Sequence, residues 1–336
     1  MLEPPNISDD SVIACLRDEY GLGILEFVFL PIGADRSTAV YRAGASDSTP
    51  YFVKLRLNRF NATSVELPKF LGDCGIRQVI APLATESGRP WAEFDDAKLM
   101  LYPFVEGRNG YEVTLSDRHW REFGAALNQI YEASIPEPLV GRIRREDYSP
   151  RWREDVKRLL GETEATGSDD AIAVELKAFL ASKRDEILDL VHRAEQLADS
   201  LQSRDMEFVL CHFDLHVGNV LIDSGEALYI VDWDEAIIAP KERDLMFVGG
   251  GLMNSGRAPA QEESIFYEGY GEAQIDQVAL AYYRFERIVE DISEDCVQIF
   301  PTSEGVLDRE RSFQFFQSDF QPGGVLDVAR KTDHAS

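Results

Sequence analysis

Cys211-His212-Phe213-Asp214-Leu215-His216-Val217-Gly218-Asn219, followed by Ile230-Val231-Asp232-Trp233-Asp234, is the stretch on which the reading of this chain turns. Phe208-Val209-Leu210 just before it is apolar and predicts a strand. Val220-Leu221-Ile222 and Leu228-Tyr229-Ile230-Val231 are two further apolar runs. The turn-forming Asp223-Ser224-Gly225-Glu226 separates them, so together they predict a β-hairpin. Asp214 and Asn219 then sit on the loop before the hairpin, and Asp232 sits just after it.

Such a group fits metal-dependent phosphoryl transfer. That reaction needs a carboxylate to orient an attacking hydroxyl and accept its proton, and oxygen ligands to hold Mg2+ against the phosphates. Kinases of the protein-kinase type place an Asp, an Asn five residues later, and another Asp after a hairpin. Here Asn219 follows Asp214 by five residues and Asp232 lies thirteen beyond Asn219. The competing reading is a chance cluster, or a zinc site using His212 and His216. A third zinc ligand is missing within sequence reach, whereas three residues and the hairpin agree on the kinase pattern.

The signature HxDxHxxN at His212 to Asn219, followed by an apolar strand and Asp232, resembles the aminoglycoside phosphotransferase family of kinase-like enzymes. The runs Ala239 to Phe247, Phe266 to Gly271 and Arg284 to Asp291 resemble the branch of that family that phosphorylates spectinomycin. So do Tyr148 to Arg153 and Tyr41 to Leu55, and the similarity extends over nearly the whole chain. The resemblance implies an α+β, bilobal protein-kinase-like fold. A small antiparallel-sheet N-lobe would occupy residues 1–104, with a hinge near 103–107, and a larger, mainly helical C-lobe would occupy residues 105–336. It further implies ATP and Mg2+ as cofactors. In that scheme Asp214 is the catalytic base, and Asn219 and Asp232 are the metal ligands.

Apolar spacing in the first hundred residues predicts a helix from Ser8 or Asp9 to Tyr20, then strands at Leu25 to Ile32, Ala39 to Ala43 and Tyr51 to Arg56. The loop between the first two strands, Gly33-Ala34-Asp35-Arg36-Ser37-Thr38, has one glycine and by itself reads as a hairpin turn. The family resemblance makes it the cover over the nucleotide phosphates, with Gly33, Asp35, Ser37 and Thr38 in contact. Lys54, flanked by Phe52, Val53 and Leu55, resembles the kinase strand lysine that meets the phosphates. Glu66, on a helix expected over Thr63 to Cys74, is its candidate partner, although the spacing of twelve and the nearby Pro68 depart from the usual pattern. Strands are expected at Val79-Ile80-Ala81, Trp91 to Phe94 and Lys98 to Tyr102. Tyr102, Pro103, Phe104 and Val105 would border the adenine at the hinge.

The rest reads as helical, with Ser116 capping a helix through Trp120, Phe123, Leu127 and Ile130, and onward through Asp308 to Phe320. A helix is expected to open at Arg243-Asp244-Leu245 and to end at Gly249-Gly250-Gly251, with Asp244 capping it or binding loop backbone, and the tail after Gly323 is expected to fray. The 336 residues carry 34 basic and 60 acidic side chains, a net charge of −26. That excess argues against nucleic acid and anionic membranes, favours a cationic small-molecule substrate, and requires a site for ATP that is locally positive or metal-assisted. Cys15, Cys74, Cys211 and Cys296 are widely spaced and read as reduced thiols. With no visible signal peptide or membrane span, the expected location is cytoplasmic. The oligomeric state is left open.

A cationic aminocyclitol needs carboxylates for its amines and an aromatic face for its ring. Trp233, Asp234, Tyr270, Glu286 and Glu290 are the candidates. One alternative keeps the fold and changes the substrate to a sugar, homoserine or choline-like alcohol. A protein Ser/Thr kinase is disfavoured by Trp233-Asp234 in place of Phe-Gly and by the lack of an Ala-Pro-Glu segment. A binding module without activity would need a lost catalytic residue, and Lys54, Asp214, Asn219 and Asp232 are all present.

Overall fold

Helix α1 (Asp9–Tyr20) is the first element, with two acidic residues in its first turn, favourable to the helix dipole, and stops at Gly21 with φ +67°. The computed structural model describes residues 4–33, 37–162, 170–250, 256–299 and 306–334. After α1 come β1 (Ile24–Leu30), β2 (Thr38–Ala45), β3 (Pro50–Arg56), α2 (Thr63–Asp73), β4 (Ala92–Phe94), β5 (Ala97–Pro103), β6 (Gly107–Asn109), α3 (Asp117–Tyr131) and α4 (Glu137–Val140). Then follow β7 (Arg144–Arg145), α5 (Arg151–Glu162), α6 (Ala171–Gln202), β8 (Val209–Cys211), β9 (Val220–Asp223), β10 (Leu228–Ile230) and β11 (Ile237–Ala239). The chain closes with α7 (Glu242–Leu245), α8 (Pro259–Tyr270), α9 (Gln277–Ile299), α10 (Val306–Asp319) and α11 (Val325–His334). This is the expected α+β kinase-like class, an antiparallel sheet near the N-terminus and a helical C-terminal part.

Two compact units divide the chain. The first holds residues 1–144, 217–236 and 268–271, the second 145–216, 237–267 and 272–336. In the first, an antiparallel sheet runs in the order β1-β2-β3-β5-β4. Strand alternation decides its faces. Val53 and Leu55 of β3, Tyr41 and Ala43 of β2 and Leu99 and Leu101 of β5 fill a core closed by Val12 and Leu16 of α1. Phe52, Lys54 and Arg56 therefore leave β3 on the opposite face. A second sheet, β10-β9-β6, contains the hairpin expected from the sequence. Its turn is held by Asp223 Oδ1, which accepts from the backbone N–H groups of Gly225 and Ala227, both at 2.8 Å. Helix α3 begins with a reciprocal cap, Ser116 accepting from the His119 N–H and His119 Nδ1 accepting from the Ser116 N–H. It buries Trp120, Phe123, Leu127 and Ile130, each such side chain stabilising the fold by about 1.5–3 kcal/mol.

In the second unit, α5, α6, α10 and α11 pack against α9, whose Ala281, Phe285, Ile288, Val289 and Ile292 are buried. Asp170 caps α6, accepting from the Ala173 N–H at 2.8 Å, and also pairs with Arg309. Strands β8 and β11 pair antiparallel.

Three local expectations are corrected. The tail after Gly323 is helix α11, not a frayed end. Leu326 and Ala329 are buried on α9's side, Asp333 takes two bonds from Arg193, and Thr332 receives Arg284. Val79-Ile80-Ala81 forms no strand; Val79 makes a single parallel bridge to Ile230. The helix expected to run from Arg243 to the glycines at 249–251 is the one-turn α7 followed by turns, and Gly251 lies outside the described residues.

Candidate active site

Strand β3 and the segment after β10 bring the cationic part of the site together within the first unit. Lys54 Nζ reaches both oxygens of Asp234, at 3.1 and 3.0 Å. Arg56 Nη1 lies 3.6 Å from the same carboxylate. The pairing entertained between Lys54 and Glu66 is not formed, because Glu66 Oε2 faces Arg142 Nη2 at 2.5 Å. Asp234, expected at the substrate, is instead the counter-ion of the strand lysine.

Asn219 ends a single 3-10 turn, Val217–Asn219, that leads into β9, and is 9% exposed. Its carbonyl accepts from the Val231 N–H at 3.0 Å, which ties the turn to the end of the hairpin. Asp232 follows with φ +68°. A left-handed backbone at a residue other than glycine costs on the order of 1–3 kcal/mol and is typical of a functional turn. Trp233, also expected at the substrate, is buried, and its indole N–H donates to the Ile230 carbonyl at 3.1 Å. It locks the turn rather than offering a ring face.

The other nucleotide-side residues are placed as follows. Tyr102 pairs across from Phe52, and its hydroxyl is pushed up by burial first and then by the charges of Asp234, Tyr20 and Asp232. Pro103 ends β5 opposite Tyr51. The Phe104 N–H donates to the Pro50 carbonyl at 3.3 Å, and the Arg42 guanidinium sits 5.5 Å from the Phe104 ring centre. Val105 is half-buried in the loop that follows. Gly33 is exposed with φ +93°. Thr38 Oγ1 accepts from Arg56, and Ser37 Oγ accepts from Asn58 Nδ2 at 3.3 Å. Asp35 lies outside the described residues.

The second unit carries the candidate base. Asp214 accepts from Arg287 Nη1 at 2.9 Å, and His216 Nε2 is 3.4 Å away. Burial alone would raise the Asp214 carboxyl; the His216 hydrogen bond and the positive field of Arg287, His216 and His212 outweigh it and hold the group below the usual carboxylate range. Arg287 in turn bonds Asp291 at 2.8 Å. The loop backbone is fixed from below. The fully buried Asp244 accepts from the N–H groups of His212, at 2.8 Å, and Phe213, at 2.9 Å. Phe213 has φ +83°, and its ring lies 3.6 Å from the Arg243 guanidinium carbon. His216 faces Asp214 through its ring, whereas the buried His212 is tied to Asp244 through its backbone N–H. Among the described residues no three His, Cys, Asp or Glu side chains form a group that could hold a metal by themselves.

Glu286 and Glu290, expected at the substrate, face arginines of their own unit. Glu286 lies 3.1 Å from Arg153 and is pushed up to about 7, chiefly by burial. Glu290 lies 3.6 Å from Arg243. Tyr270 is buried, with its ring edge-on to Tyr131. Sequence reading missed Arg287 as the partner of Asp214 and Arg56 as a neighbour of Lys54. Arg287 falls in a run singled out for its likeness to the family, and its position on a helix of alternating charge hid its role. A second group it passed over is carboxylate-rich. Asp295 is pushed up to about 8 and Asp319 to about 7, by burial first and by neighbouring acids.

The family model described as the APH phosphotransferase enzyme family matches residues 28–285. Among solved structures, spectinomycin phosphotransferase APH(9)-Ia in complex with ADP and spectinomycin is 36% identical, over 98% of this chain and 99% of that one, with a TM-score of 0.89. Protein StrN of Streptomyces griseus is 25% identical over 229 residues, 64% of this chain and 67% of StrN. Choline kinase LicA from Streptococcus pneumoniae, 14% identical over 92% of this chain and 99% of its own, shares the fold with a TM-score of 0.54. With the family pattern matched over most of its length, the chain belongs to the APH phosphotransferase enzyme family and is a phosphotransferase acting on hydroxyl groups.

Proposed function

We propose that this protein is an ATP- and Mg2+-dependent O-phosphotransferase whose acceptor is a hydroxyl of a cationic aminocyclitol, with spectinomycin the first candidate. The observation that carries the reading is the 36% identity, over 98% of the chain, to a spectinomycin phosphotransferase crystallised with ADP and spectinomycin. The charge distribution supports the same substrate class. Asp295 and Asp319 are half-buried carboxylates held well above their usual range, an arrangement that an ammonium group would relieve.

Each residue then has a task set by its surroundings. Asp214, kept ionised by His216 and Arg287, orients the acceptor hydroxyl and takes its proton. Arg287 fixes the carboxylate, and Asp244 fixes the backbone that carries it. Lys54 takes the nucleotide phosphates, aligned by Asp234. Asn219 through its amide oxygen and Asp232 through its carboxylate would hold Mg2+, an ion that prefers oxygen donors. The ion supplies neutralisation of charge on the transferring phosphoryl group. Gly33, Ser37 and Thr38 border the phosphates, and Tyr102 to Val105 border the base.

The test is ADP release from Mg·ATP by the purified protein, with and without spectinomycin. A rate that depends on spectinomycin, and a phosphorylated product, are expected. Asp214→Ala should abolish turnover while the chain stays folded. A flat response with ATP still bound would discard spectinomycin and direct the search to other aminoglycosides and to alcohols of the choline class. Near-wild-type turnover by D214A would remove the proposed base.

A further inference from the structure

Strand β3 sends Lys54 and Arg56 off the same face of the sheet, two residues apart, while Val53 and Leu55 enter the core. Both cations end on Asp234, Lys54 Nζ at 3.0 Å and Arg56 Nη1 at 3.6 Å from the same oxygen. Arg56 also donates to Thr38 Oγ1 and, through Nε, to the Arg59 carbonyl at 3.4 Å. Past β3 the chain folds back on the start of β2. The Leu57 N–H donates to the Ser37 carbonyl at 2.8 Å, and Asn58 Nδ2 to Ser37 Oγ at 3.3 Å. The fold-back borders an open depression lined by Ser37, Arg56, Asn58 and Arg59.

The chemistry of that lining is specific. It offers two guanidinium groups, an amide and a hydroxyl, the donors that recognise phosphate oxygens. Among the described residues, Lys54 and Arg56 share one carboxylate, Asp234, and Arg59 lines the same depression as Arg56, in a chain that carries 60 acidic against 34 basic residues. Local excess positive charge against so negative a background is what a polyanion requires.

We propose that Arg56, backed by Arg59, is a second phosphate-binding residue of the nucleotide site. Asp234 serves as the shared counter-ion that holds Lys54 and Arg56 side by side. Lys54 and Arg56 then form a fork, and Arg56 and Arg59 engage the outermost phosphate, which ATP has and AMP lacks. This rests on the nucleotide-dependent reading given above.

The experiment is calorimetric binding of ATP and AMP to the full chain, for wild type, R56Q and R59Q, with melting curves for each. A lost charge-assisted hydrogen bond should raise the ATP Kd of R56Q by about tenfold or more and leave the AMP Kd within about twofold. R59Q, at an exposed position, should shift the ATP Kd in the same direction by less. A folded R56Q with the wild-type ratio of ATP to AMP affinity overturns the inference. If R56Q fails to fold, an unchanged ratio in R59Q overturns it. Wild-type protein that binds no ATP refutes the nucleotide reading itself, and this inference with it; wild-type binding with unaffected variants refutes the inference alone.

Discussion

Replacing Asp244 should loosen the loop that carries Asp214, and the size of the effect follows from the geometry. Its carboxylate is fully buried and accepts two backbone N–H bonds, at 2.8 and 2.9 Å, from His212 and Phe213. Hydrogen bonds to a charged group contribute about 1.5–3 kcal/mol each, so the pair is worth about 3–6 kcal/mol. Against this stands the cost of burying the charge, visible in the carboxyl being pushed up mainly by desolvation. Alanine carries no such cost, so Asp244→Ala should lose a net ~2–4 kcal/mol. Asn is nearly isosteric, but its amide can accept on one side only and turns an N–H donor toward the other. Asp244→Asn should therefore lose about 1–3 kcal/mol. Urea unfolding followed by circular dichroism measures both. The same variants should lower kcat more than they raise the KM for ATP, because the displaced group is the proposed base, Asp214, and not Lys54. A D244A protein within about 0.5 kcal/mol of wild type, the scatter of ordinary surface substitutions, would refute the anchoring argument.

Three further outcomes are expected. A Cβ on Gly110 would stand 2.0 Å from Val217 Cγ2 and 2.8 Å from the Val217 carbonyl oxygen, so Gly110→Ala should cost about 1–3 kcal/mol in a thermal melt; an unchanged Tm would contradict the close approach. The Asp295 carboxyl is raised from 3.8 to about 8, by burial and then by Asp291, Asp319 and Glu294. Because the folded value lies above the unfolded one, stability should decline as pH rises through that interval, and Asp295→Asn should flatten the decline. Melts at several pH values decide it, and parallel Tm profiles for the two proteins would count against it. Asp170 is held down to about 2 by the Arg309 hydrogen bond and then by the Ala173 N–H. Its contribution is present above the unfolded carboxylate value and lost as pH falls toward 2, so Asp170→Asn should unfold less steeply with acid; an identical acid transition would argue against the cap.

What the sequence made legible was local. The loop from Cys211 to Asn219, the hairpin turn at Asp223 and the cap at Ser116 each depend on residues within about ten positions of one another. The partner of Lys54 did not belong to that class. Asp234 is 180 residues away, and the nearer Glu66 was drawn to Arg142. Trp233 read as a substrate ring because it adjoins Asp232, yet its indole N–H closes the turn on Ile230. Helix α11 escaped notice because Leu326 and Ala329 are a thin apolar stripe among charges. What secures it are Arg193 and Arg284, side chains of distant helices. Glu286 and Glu290 looked available on a charged helix, and only tertiary structure supplies Arg153 and Arg243.

The chain passes from one compact unit to the other at 144/145, 216/217, 236/237, 267/268 and 271/272. The second crossing falls between His216 and Val217, inside the signature itself. Neither unit is therefore a contiguous cassette. A fragment ending at Arg144 would lack β9 and β10 and leave the edge of β6 without its neighbour. An exchange between relatives by a single splice point there would transplant half of the signature loop onto a foreign hairpin. A chimaera that respects this topology must swap 145–216, 237–267 and 272–336 as three inserts, keeping 217–236 with the strand that bears Lys54.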